Sequence, residues 1–167
     1  MANKTSFTVE EWKDLCDTPH LVGLAIALSG ASGITGTIKE TFASSLAVAE
    51  GQKSDRELIR ALCATEEIQA AQSGVRESLM ALKADEFAVV QQKLATLALD
   101  RARAAIAALQ AKAPEDVAAY RSFIAALAER VAEAAKEGGF FGIGGERVSA
   151  GEKQMLAKLE EALGGSA

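Results

Sequence analysis

General acid or base work near neutral pH needs a group that titrates there, and this chain has one histidine, His20. It falls just after Pro19, in the first turn expected of an apolar helix, where the partial positive charge of the helix N-terminus disfavours the imidazolium. A packing or capping role is the expectation for it. A Ser-His-Asp triad would have to use this same histidine, and no GxSxG elbow exists to present a serine. Cys16 and Cys63 stand apart, without a CxxC, a CxxCH or a histidine cluster, which predicts two reduced, mostly buried thiols. Glu66 with Glu67, and Glu160 with Glu161, are adjacent pairs whose members point to different sides of a helix, so solvated faces are expected. No Glu-x-x-His pair is present to build a di-iron centre. Catalytic residues, metal ligands and cofactors are therefore not assigned.

Two glycine-rich stretches carry the remaining chemistry. Gly30, Gly33 and Gly36 recur every three residues, with Ser32, Thr35 and Thr37 beside them and Lys39 after, ahead of an expected helix start. Backbone amides and a helix N-terminus in such a stretch can hold an anion or a small ligand. The alternative is a tight turn with close helix packing, because neither a P-loop GK[ST] nor a preceding strand accompanies the glycines. The second stretch sets Phe140, Phe141 and Ile143 among Gly139, Gly142, Gly144 and Gly145, with Lys136 and Arg147 flanking. Exposed, these apolar groups with Arg147 would form a partner or lipid contact; buried, they would plug the end of a bundle.

Composition names the scaffold that must position these residues. Of the 167 residues 35 are alanine and two are proline, which favours helix over strand. One domain spanning 1–167 is expected, with 1–7 as an N-terminal tail, 138–148 as a glycine-rich loop and 164–167 as a C-terminal tail. The net charge of -5, without a basic stripe, argues against nucleic-acid binding. The apolar run Leu21 to Leu28 is too short to span a bilayer, and acidic residues interrupt the N-terminus before any signal-like run, so a cytoplasmic protein is expected.

The helix punctuation is legible. Thr8 with Glu11 forms a capping box, and Phe7 with Trp12 has hydrophobic-staple spacing, so a short helix starts near residue 9. Asp17, Thr18 and Pro19 are expected to end it and to start a second helix. A third should run from about Thr37 to Glu50. Ser54 with Glu57 and Ser149 with Glu152 are further capping boxes, Asp85 is a candidate cap, Gly74 a candidate kink, and Ala113 with Pro114 a break. The cleanest apolar stripe is Val117, Tyr120, Ile124, Leu127, Val131 and Ala134. The expected fold is all-α: a bundle of about seven helices, three of them long and antiparallel (roughly 54–83, 85–112 and 114–137, with Phe87 and Val90 on the inner stripe), onto which short N-terminal helices and a C-terminal helix dock.

The stretches TSFTVEEWKDL, SGASGITGTIKETFAS and EGGFFGIGGERVSAGEKQMLAKLEEALG together resemble a group of small uncharacterised bacterial helical proteins. A fainter likeness is to TerB-type tellurite-resistance domains, helical bundles in which a glycine-containing turn precedes a V-S-x-x-E helix start, as Val148, Ser149 and Glu152 do. Their turn carries acidic residues, whereas Gly144 and Gly145 precede Glu146 here, so no metal ligand is carried over. The resemblance implies a bacterial helical protein and supplies no catalytic residue. The functional expectation is a non-enzymatic bundle that binds a protein partner or itself, through a small-residue helix face or the Phe140 to Ile143 loop. The alternatives are a phasin-like protein on a lipid or polymer surface, and a small-molecule or anion binder using Gly30 to Lys39.

Overall fold

The structure is a computed structural model and describes residues 2–30, 48–82, 86–136 and 149–164. The Thr8 capping box forms as expected: the Thr8 hydroxyl accepts from the Glu11 amide at 3.2 Å, and the Glu11 carboxylate accepts from the Thr8 amide at 2.7 Å. Phe7 and Trp12 pack with ring centroids 5.9 Å apart. The helix they open, α1, runs Val9–Ser29 without interruption. Proline at position 19 predicts a division there, because it cannot donate to the Leu15 carbonyl one turn back. That carbonyl is satisfied from elsewhere, by the buried Tyr120 hydroxyl at 2.9 Å, so the helix passes through the proline.

The other helices with both ends among the described residues are α2 (Glu57–Leu62), α3 (Thr65–Ala81), α4 (Phe87–Lys112), α5 (Val117–Lys136) and α6 (Ala150–Ala162); of the helix expected from about Thr37 to Glu50, residues 48–50 are helical and the rest lies outside the described residues. Short 3-10 turns occupy Lys4–Ser6, Gly51–Lys53 and Pro114–Asp116, and the described residues contain no strand. The all-α expectation holds. Residues 54–83 are not one long helix, because Cys63 leaves the helical conformation and Ala64 is extended. The break lets α2 bury Leu58, Ile59 and Leu62 beside α5 while α3 turns its own face toward α1. The Ser54–Glu57 capping box does not form: Arg56 is the N-cap of α2, and the Ser54 hydroxyl accepts from the Arg56 amide instead. Asp85 lies outside the described residues, and α4 has Glu86 at its N-cap without a side-chain bond.

The centre of the molecule is α1 rather than the segment 54–137. Twelve of its 21 residues are buried, and it packs on α3, α4, α5 and α6. From Leu21 onward this helix carries no charged residue, and a stretch apolar on all sides belongs inside. Helix α4 runs antiparallel to it, with the Arg101 guanidinium on Asp14, Lys112 on Glu11 and the Gln91 amide on the Leu28 carbonyl. Phe87, expected on the inner stripe of α4, stands 62% exposed, and burial there begins at Leu94. The stripe on α5 is as read: Tyr120, Ile124, Leu127 and Val131 are all buried. The N-terminal residues are no free tail either, since Ala2 and Phe7 join the core and Lys4 pairs with Glu67. The Ser149–Glu152 capping box opens α6, which ends at Gly164 in the left-handed region (φ 79°).

Candidate functional site

The densest polar cluster lies where α3 crosses α1. The Trp12 indole N–H donates to Glu67 Oε2 at 2.9 Å, Cys16 Sγ lies 3.9 Å from the same oxygen, and the Lys4 ammonium holds the other carboxylate oxygen. Glu67 is therefore not the solvated-face residue that its adjacent pairing with Glu66 suggests; its side chain is 13% exposed. Burial works to raise its pKa, but hydrogen bonds from Lys4 and Trp12 outweigh it and hold the carboxyl below its ordinary value. One turn along α1, Lys13 pairs with buried Asp17, whose pKa burial raises against the pull of the lysine. Gly74 sits against this pair: a Cβ there would lie 2.4 Å from Lys13 Nζ. The expected kink is thus a close approach inside an unbroken helix. A pocket of about 380 Å³ opens between α1 and α3 here, yet the Glu67 and Asp17 carboxylates on its wall are already answered within the chain.

The groups best suited to covalent chemistry are quenched by burial. Cys16 and Cys63 are free and buried. Burial, reinforced by Glu67 and Asp17, pushes the Cys16 thiol far up, and burial pushes Cys63 up to about 12. Neither is a thiolate at neutral pH. His20 lies in the middle of α1, not in a first turn, and burial lowers it to about 4. Among the described residues no group of three or more His, Cys, Asp or Glu is arranged to hold a metal.

Of the candidate anion-binding residues, Gly30 caps the end of α1 in an extended conformation, while Ser32, Gly33, Thr35, Gly36, Thr37 and Lys39 lie outside the described residues. Phe140, Phe141, Ile143 and Arg147 do so as well. The places where the two glycine-rich stretches attach are described, and they adjoin. A Cβ on Gly151 would lie 2.3 Å from the Ser29 carbonyl oxygen, so the first turn of α6 rests on the last residue of α1.

A second feature comes from how α6 is seated. It packs on α1 and α4 more than on α5, which leaves a groove of about 620 Å³ between α5 and α6. Small residues make this cleft: Ala125 and Ala128 from one helix and Ala157 from the other keep the walls low, with Leu156 half-buried between them. The two helices run antiparallel along it, since the Arg121 guanidinium near the start of α5 lies against Gly164 just past the end of α6. Charges of both signs line the rim, Arg121 and Glu129 on α5 and Lys153 and Glu160 on α6. The Nε atom of Arg121 is buried without a hydrogen-bond partner. The small-residue face was legible in the alanine content, but its opening depends on the position of α6, which no local signal reports.

Comparison with known proteins finds no matching family model, curated protein or solved structure. Among the described residues no helix is long and apolar enough to cross a membrane.

Proposed function

We propose that this chain is a binding module without covalent chemistry of its own, and that it receives a helical protein surface in the groove between α5 and α6. The observation that carries this reading is the groove itself: an open, small-residue floor with charged walls, in which a helix face can approach closely. Three quenched groups, His20 and the two thiols, support the non-enzymatic part of the reading. The polar cluster around Glu67 has its partners inside the fold and serves to lock α3 onto α1.

The test is site-specific photocrosslinking in the producing cells. A photoreactive residue at Ala157, on the floor of the groove, is expected to give a covalent protein adduct. The same residue at Arg103, exposed on α4, is expected to give none. No adduct at 157, or equal adducts at both positions, would refute the assignment of the groove.

A further inference from the structure

We infer that the face formed by α5 and α6 around the groove packs against the same face of a second copy of this chain, related by a two-fold axis; this rests on the reading of the groove as a protein-binding site. The groove is charged in a pattern that complements itself. On α5, Arg121 and Glu129 stand four residues to either side of Ala125, and Ser122 and Ala128 stand three to either side. On α6, Lys153 and Glu160 stand three residues outside the central pair Leu156 and Ala157. A two-fold axis crossing the groove at its centre turns the second copy end over end. Arg121 then faces the partner's Glu129 and Glu129 faces the partner's Arg121, while Lys153 and Glu160 exchange places in the same way. Such reciprocity is what an isologous interface requires, because every contact there occurs twice.

The alternative occupant, an unrelated helix, explains the small floor equally well but gives no reason for the signs to reverse about the centre of both helices. Self-pairing does: any two-fold contact between faces with like charges at equivalent ends would set like against like. The small residues at Ala125, Ala128 and Ala157 serve the same geometry, since close approach is needed for these charges to meet across the interface.

Sedimentation velocity of the full chain at low ionic strength tests the inference. The wild type is expected to reach twice the chain mass with rising concentration. Glu129→Arg, at an exposed position that the fold does not use, should weaken that association at least tenfold while circular dichroism stays helical. Arg121→Glu should do the same. Mixing these two variants should restore a dimer, because the introduced guanidinium of one chain then faces the introduced carboxylate of the other, and the native Arg121 of the first faces the native Glu129 of the second. A monomeric wild type, an unaffected Glu129→Arg variant, or a mixture that fails to pair would each overturn the inference. The crosslink at Ala157 separates the two levels: an adduct of some other mass overturns the second copy and leaves the binding reading standing, whereas no adduct removes both.

Discussion

Tyr120→Phe is the substitution that probes most directly how α1 survives its proline. In the wild type the Tyr120 hydroxyl donates to the Leu15 carbonyl at 2.9 Å, across a sequence separation of 105 residues, and the ring is fully buried. Removing the hydroxyl leaves a buried carbonyl that Pro19 cannot serve. The cost of an unmet buried acceptor is about 1–3 kcal/mol, and for a chain of this size that corresponds to roughly 2–12 °C in Tm. The cause is separable from simple loss of an oxygen atom. In a Pro19→Ala background the backbone N–H of residue 19 is available to the Leu15 carbonyl, so Tyr120→Phe should cost at most about 0.5 kcal/mol there, at the low end for a hydrogen bond. Urea denaturation followed by far-ultraviolet circular dichroism on the four proteins of this cycle gives the coupling, expected to be about 0.5–2.5 kcal/mol. Equal losses in the two backgrounds would refute the claim that the tyrosine replaces the bond the proline removes.

Groups whose surroundings oppose their ordinary behaviour offer two further tests. Gly151→Ala should destabilise the protein even though alanine is the better helix former by about 1 kcal/mol, because the new Cβ would lie 2.3 Å from the Ser29 carbonyl oxygen and backbone must move. A net loss of about 1–2 kcal/mol is expected, and a raised Tm would show that α6 is not seated on the end of α1. The His20 imidazole is held at about 4 by burial against an ordinary 6.5, so the unfolded chain takes up its proton first as pH falls. The stability His20 contributes in its neutral form is therefore intact above about 6.5 and is lost progressively toward about 4, up to roughly 3 kcal/mol in all. Denaturation midpoints across that window should flatten in His20→Gln, and an unchanged slope would assign the pH dependence to other groups.

What the chain discloses on inspection is what closes within a turn or two. The Thr8–Glu11 and Ser149–Glu152 capping boxes join atoms three residues apart, and both form as read. The break at Ala113 and Pro114 is local in the same sense. Ser54 with Glu57 has the same spacing and fails, because Arg56 rather than Ser54 is the last extended residue before α2. Capping spacing shows where a helix can start, and burial of Leu58, Ile59 and Leu62 decides where it does. Pro19 misleads for the opposite reason: the rule it obeys is local, but the group that compensates it arrives from α5. Glu67 is read as solvated from its pairing with Glu66, because the groups that answer it lie more than fifty residues away in the chain. Once the chain turns at Cys63 and Ala64, its carboxylate falls between Lys4 and Trp12.

The groove shows where these two kinds of information meet. Its charges are in the sequence, and the reversal of sign about Ala125 and about the Leu156–Ala157 step can be counted without coordinates. On a lone helix such a reversal is unremarkable, since mixed charges decorate most solvated faces. It acquires meaning when α6 is held on α1 and α4, by Gly151 against Ser29 at one end and Leu159 and Met155 in the core along its length, so that it stands off from α5. The same seating brings the Arg121 end of one helix to the Glu160 end of the other. Both ends of the groove then carry one charge of each sign, and it is the two-fold axis across the groove that lets the Glu129→Arg and Arg121→Glu variants repair each other, since along the groove the introduced guanidinium would meet the partner's Lys153. The pattern is therefore intolerant of a single sign reversal, which is why the exposed Glu129, rather than any core residue, decides whether a second copy binds.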